Sequence, residues 1–263
     1  MSSIRPAAVA DMFYPGDPVT LHTDIRGMLA GVPTGSPNPK AIIVPHAGYI
    51  YSGPVAASVY AQLIPVHDRI HRVILLGPCH RVPLNGLATS SADFFETPLG
   101  SIQIDRDSIE QIQSLPQVRE FDLTHQLEHS LEVQLPFLQE VLDEFMLVPL
   151  VVGDASASDV SSVLELLWGG DETLIVISSD LSHYHDYATA RSMDALTCKA
   201  IESLDGDAIH HEQACGRIPI LGLLKSAQKH HMKATTLDLR NSGDTAGGKD
   251  QVVGYGAWMF EET

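Results

Sequence analysis

No stretch of this sequence is apolar for long enough to cross a bilayer, and its first residues lack the basic-then-apolar pattern of a secretory signal. A soluble, cytoplasmic protein with no membrane partner is the expectation. Cysteine is scarce, with three in 263 residues. An odd count in a chain of this length argues for thiols and against a disulfide framework. Positive charge is scarce too: 16 Lys and Arg stand against 33 Asp and Glu, a formal net charge of −17. Nucleic-acid binders carry a basic footprint, so no nucleic-acid partner is expected. The chain also lacks internal repeats, low-complexity tracts and linkers. Its glycine-rich "NSGDTAGGKD" lacks the strand and the G-x-x-x-x-G-K-[ST] spacing of a phosphate-binding loop.

What is present is an alternation of β-branched apolar runs with helical patterns. Residues 41–45, 73–77, 146–152 and 173–178 read as strands buried on both faces, because they are continuously apolar and bounded by turn residues. Helical patterns cover 18–29, 53–64, 105–115, 131–145, 186–204 and 218–230. In 131–145 the residues Leu131, Leu135, Leu138, Leu142 and Phe145 share one face, and Pro136 should kink or restart the helix. "KDQVVGYGAWMFEE" reads as a final strand. The fold class expected is α/β, one domain over residues 1–263, with a mostly parallel central sheet and helices on both faces. Residues 1–40, rich in proline and glycine, form an N-terminal arm packed on it.

Three of these strands run into metal-competent side chains. "AIIVPHAG" delivers His46, "VILLGPCH" delivers His80, and "LIVISSDLSH" delivers Asp180 and His183. In an open parallel sheet, ligands bind beyond the carboxyl ends of the strands. Gly48, Gly53 and Gly77 allow tight turns and close approach beside the histidines. Any one of these histidines could instead cap a helix or satisfy a loop carbonyl; the repetition at three strand ends favours a shared site. Cys215, in "QACGRIPILGLL", precedes a helix and neighbours Arg217, which should lower its pKa and favour thiolate. A buried structural cysteine is the alternative. Cys79 could face the same pocket, whereas Cys198 lies mid-helix and reads as core. "HQLEH", His125 to His129, matches the H-x-x-E-H pattern of inverted zinc peptidases. Ser130, however, looks like the cap of the following helix, which would leave the motif in a loop and give His129 and Glu128 a pocket-lining role. The pairs His210–His211 and His230–His231 sit in polar stretches and are expected to be solvated.

Taken in order, "PHAGYIYSG", "GPCHRVPLNGLATSS", "EHSLEVQLPFLQ", "SSDLSHY" and "ACGRIPILGLL" closely resemble the Memo family, whose prokaryotic members are also called AmmeMemoRadiSam system protein B. The similarity runs from "RPAAVADMFYPGD" to "VVGYGAW". It implies the fold of the class III extradiol (LigB-type) dioxygenases, which open catechol rings with non-haem iron. By motif, His46 and His80 match metal-ligand positions and Cys215 the third, where the dioxygenases have a glutamate. His183 matches the acid–base histidine, with Asp180 beside it, and His129 a second pocket histidine. The same resemblance implies a radical SAM protein as partner.

A thiolate in place of the carboxylate softens the ligand set, which favours copper or zinc more than a carboxylate would. The function expected is a metal-dependent, dioxygenase-like oxidoreductase. His46, His80 and Cys215 would hold Fe(II) or copper, with zinc as a further candidate, and His183, oriented by Asp180, and His129 would serve catalysis. The competing reading is a non-catalytic module that binds a small molecule, peptide or partner in the same crevice, with Arg81 and Arg217 pairing an anionic group. Zinc-assisted hydrolysis is a third.

Overall fold

The structure is a computed structural model that describes residues 2–35 and 38–262. Its strands are β1 (Ile4–Arg5), β2 (Ala41–Val44), β3 (Arg72–Pro78), β4 (Leu87–Thr89), β5 (Phe94–Thr97), β6 (Gly100–Gln103), β7 (Val118–Glu120), β8 (Met146–Val152), β9 (Thr173–Ser178), β10 (His183–His185), β11 (Met232–Asn241) and β12 (Val252–Glu262). The helices are α1 (Pro18–Leu29), α2 (Tyr49–Tyr60), α3 (Arg106–Ile112), α4 (Leu123–Gln126), α5 (His129–Glu132), α6 (Leu135–Val141), α7 (Ala157–Leu167), α8 (Tyr187–Glu202) and α9 (Arg217–Lys229).

The four apolar runs form the centre of the main sheet, in the order β2-β9-β3-β8, and all four are parallel. Residues 41–44, 73–76 and 174–177 are wholly buried, as strands covered on both faces require. Each such Val, Leu or Ile side chain contributes about 1.5–3 kcal/mol by leaving water. The flanks are antiparallel: β4 pairs β8 on one side, and β12 pairs β2 on the other. Beyond them, β7 pairs β4, while β10 and β11 both pair β12. A small second sheet, β1-β5-β6, joins the arm to the body.

Helices flank the sheet. α1, α2 and α6 pack on one another beside β2 and β12; α3, α7 and α9 form another group whose α9 lies on β3 and β9; α8 covers β10–β12. The single helix expected over 131–145 is broken. α5 ends at Glu132, and α6 restarts with Pro136 in its first turn and stops at Leu142, whose backbone is extended. The restart follows from proline's missing N–H, which is harmless only in a first turn.

The arm is pinned by one carboxylate. Glu132, fully buried at the end of α5, accepts from the amides of Ala8 and Val9 and from the Tyr14 hydroxyl (2.6 Å), and pairs with the buried Arg5 guanidinium. Arg5 also donates to the carbonyls of His125 and Glu128. Four donors from residues 5–14 around one buried charge explain how the start of the arm is held in one place.

Candidate metal centre

Because β9 lies between β2 and β3, and all three point the same way, their ends share one rim. His46 leaves β2 after Pro45, and His80 leaves β3 after Cys79. β9 ends between them at Ser178 and continues into Ser179 and Asp180. Gly77, near the end of β3, permits the close approach of α5: a Cβ there would stand 2.7 Å from the Ser130 hydroxyl and 2.9 Å from Leu131.

Both histidines are held in one tautomer. The Ser178 hydroxyl donates its proton to the Ser130 carbonyl (2.6 Å) and receives the side-chain amide of Gln134 (2.8 Å). It can therefore only accept from Nδ1 of His46, 2.9 Å away. That leaves Nε2 of His46 as a bare lone pair. Glu128 does the same for His80: Oε1 takes the proton of Nδ1 at 2.8 Å and Oε2 the backbone N–H at 2.6 Å. Burial alone would raise the Glu128 carboxyl, but the ring and amide of His80 and the amide of Ser130 outweigh it and bring it down to about 2. The result is an ionised acceptor behind His80, the usual way a ligating imidazole is oriented. Burial above all, with the neighbouring His80, lowers His46 to about 3, so its ring is neutral and able to ligate.

The third donor is Cys215, whose Sγ lies 3.4 Å from Nε2 of His46. Gly216 is required behind it, since a Cβ there would meet Ser179 at 2.6 Å and the Ser178 carbonyl at 2.7 Å. The ligating atoms of His46, His80 and Cys215 all lie within 4.8 Å of one another. Bonds of about 2.0–2.3 Å to a central ion would span such a set. The low pKa expected for Cys215 is not found. Burial, then the charge of Asp180, pushes the thiol up to about 12. Arg217 does not offset this, because its Nε is turned to the Ile209 carbonyl (2.8 Å). A thiol in that condition becomes a thiolate only when a cation replaces its proton.

The other expected residues gather around this group in different ways. His129 stacks on His80 (ring centroids 4.6 Å) and meets His46 edge-on at 5.3 Å. Burial and the two histidines lower it to about 4. A second metal-competent group, His80, Glu128 and His129, shares His80 with the first. Its carboxylate is already committed to orienting His80. Asp180, buried, accepts the backbone N–H of His46 at 2.7 Å. It makes no hydrogen bond to His183, whose Nδ1 donates instead to the Leu181 carbonyl (2.8 Å). The orientation assigned to Asp180 is thus supplied by main chain, leaving Nε2 of His183 as the accepting nitrogen. Tyr184 follows with a φ of 61°, an uncommon conformation for a residue with a Cβ.

His125 and His129 do not share a site. His125 sits in α4 with Nε2 on the Ala88 carbonyl (3.0 Å), and the cap of α5 is Glu128, not Ser130. Cys79 donates to the Val82 carbonyl, Cys198 is buried against Thr236, and Arg81 is exposed. His210 and His211 are exposed as expected, but His230 stacks on Trp168 at 3.8 Å. Sequence reasoning passed over Ser178 and Phe13. Ser178 reads there only as the polar end of an apolar strand, and Phe13 only as part of the arm.

The family model described as Memo-like protein matches residues 5–259. The chain belongs to the Memo family. A MEMO1 family protein of Aquifex aeolicus is 38% identical over 270 residues, covering 98% of this chain and 99% of that one. One from Metallosphaera sedula is 35% identical over 281 residues, covering 98% and 99%. Among solved structures, uncharacterized protein JW3007 from Escherichia coli K12 superposes with a TM-score of 0.53 at 13% identity, over 83% of this chain and 98% of that one. That last likeness is one of fold. Among the described residues, no helix of this Memo-family chain is long and apolar enough to cross a membrane.

Proposed function

We propose that this Memo-family chain is a metal-dependent redox enzyme whose ion, Fe(II) or copper, is held by His46, His80 and Cys215. The observation that carries the reading is the paired tautomer lock, in which Ser178 and Glu128 occupy the Nδ1 protons and leave two Nε2 lone pairs beside one thiol. Two imidazoles and one soft sulfur suit iron or copper, and also zinc. A redox-active ion bound there would supply electron exchange with oxygen or substrate.

The protein's own residues would do the rest. Asp180 holds the main chain at His46, and Glu128 keeps the ring of His80 aimed. His183, with Nδ1 committed to Leu181, is suited to accept a proton at Nε2 and return it. His129, stacked on His80, would contact the substrate from the side of the arm. The substrate would be a small molecule or peptide, and the family resemblance makes a radical SAM protein the partner to test.

A second reading, a non-catalytic binding module, is favoured by a cavity of about 660 Å³ between the arm and the start of α2, lined by Met12, Phe13, Met28, Ile50 and Tyr51 among others. Metal analysis of protein purified without oxygen, run beside His46→Ala, separates the readings. Stoichiometric iron or copper that the variant loses supports the redox enzyme. Stoichiometric zinc supports hydrolysis, and a metal-free wild type supports the binding module.

A further inference from the structure

The N-terminal arm does more than cover the body. It grips α5, a helix of one turn, at both ends. Glu132 at the last position holds the arm's backbone and Arg5, while His129 at the first meets the ring of Phe13 at 4.7 Å. Phe13 is itself fixed by main chain, its N–H on the Val9 carbonyl (2.9 Å) and its own carbonyl receiving the N–H of Tyr49 (2.8 Å). Tyr49 opens α2, three residues after His46. One arm residue therefore touches His129 of α5 and the start of α2, which follows His46 by three residues.

His129 needs such a neighbour, because no directional bond holds Nδ1. That atom is buried without a hydrogen-bond partner. The nearest acceptor, Oε1 of Glu128, is 3.3 Å away and already takes the Nδ1 proton of His80 and the Ser130 amide. Packing against Phe13, His80 and His46 fixes the ring instead. The last two are committed by their own hydrogen bonds, so Phe13 is the neighbour whose ring contributes packing alone.

We propose that Phe13 is a positioning residue of the centre: its ring sets the rotamer of His129 beside His46 and His80. The assignment rests on the metal-centre reading for its purpose, but its geometry can be tested without metal. The readout is the χ1 distribution of His129, taken from three-bond couplings in metal-free protein labelled at histidine, which does not depend on ring currents. Wild type and Phe13→Tyr should show one dominant rotamer, and Phe13→Ala a spread over several. Phe13→Leu, which keeps most of the apolar volume, guards against loss of fold and should fall between. His230, stacked on Trp168, serves as an internal control that should not change. A single unchanged rotamer in both Phe13→Ala and Phe13→Leu overturns the proposal, as does averaging in the wild type. Co(II) titration of the same samples then separates the two claims. A wild type that binds no Co(II) removes the metal reading, while the rotamer result stands or falls by itself.

Discussion

The Cys215 thiol stands 3.4 Å from Nε2 of His46 across 169 positions of sequence. The sulfur also receives the backbone N–H of Asp180 at 3.3 Å. The imidazole is neutral because it is buried, and the thiol keeps its proton for the same reason. On the proposed reading, a soft cation would take the place of the thiol proton between them.

Cys215→Ser should weaken copper and zinc far more than it weakens magnesium or calcium, since a hydroxyl cannot replace a thiolate for soft ions. Competition titrations with a chromophoric chelator measure this. Equal copper affinity in wild type and variant would reduce Cys215 to a structural residue.

Ser178→Ala should lower metal affinity by about 10–100-fold, the usual cost of removing an outer partner of a ligating histidine. The substitution leaves all three donors in place, but Nδ1 of His46 loses its acceptor and the tautomer is no longer fixed. Full affinity in the variant would mean that another group orients the ring.

Glu132→Ala should destabilise the protein by about 3–5 kcal/mol in urea unfolding, because it leaves the buried Arg5 without its counter-ion. The amides of Ala8 and Val9 and the Tyr14 hydroxyl lose their acceptor together. Arg5→Met with Glu132→Met should recover much of the loss. A cost below about 1 kcal/mol, the range of exposed pairs, would contradict the clamp.

Asp105 caps α3 and pairs with Arg72 at 2.9 Å. Burial pushes its carboxyl up, but the Ser108 amide and hydroxyl and the Arg72 guanidinium outweigh it and hold the group below its ordinary 3.8. The unfolded chain therefore takes up this proton first as the pH falls. The stabilisation is complete above about pH 4–5 and is lost as pH drops through the folded value. Asp105→Asn keeps a competent cap without the titration. Its stability relative to wild type should be lowest near neutrality and recover below pH 3.8, as read by urea midpoints at a series of pH values. A constant offset would show that the ionised form has no special hold.

The parallel centre of the sheet and the metal-competent side chains at its rim were legible because long buried strands must be uniformly apolar, so a histidine after one stands out. The flanking β12 was read too, as the final strand, but the strands beyond it and on the other side were not. β11 mixes apolar and polar residues over "MKATTLDLRN", with Thr235 to Arg240 all partly buried, and strands of three residues such as β4 and β7 carry too little pattern to register. His46, His80 and Cys215 could be nominated from residue type and position. Asp180 was given the wrong neighbour, because two residues three apart after a strand need not face each other once the chain turns. The acidity expected for Cys215 failed because Arg217 adjoins it in sequence and turns away in space. Ser178 could not be found from sequence at all, since its meaning lies in the direction of one hydroxyl proton.

The strand nearest the C-terminus of the sequence is not at the edge of the sheet. β12 lies between β2 on one side and β10 and β11 on the other. During synthesis the ribosome releases the arm, β2 and both histidines long before Cys215, and β12 later still. A nascent chain therefore carries β2 as an unpaired edge until residues 252–262 emerge. On the proposed reading, His46 and His80 would lack their third donor until residue 215 follows. An ion that requires all three donors would then be captured only after residue 215 has been made.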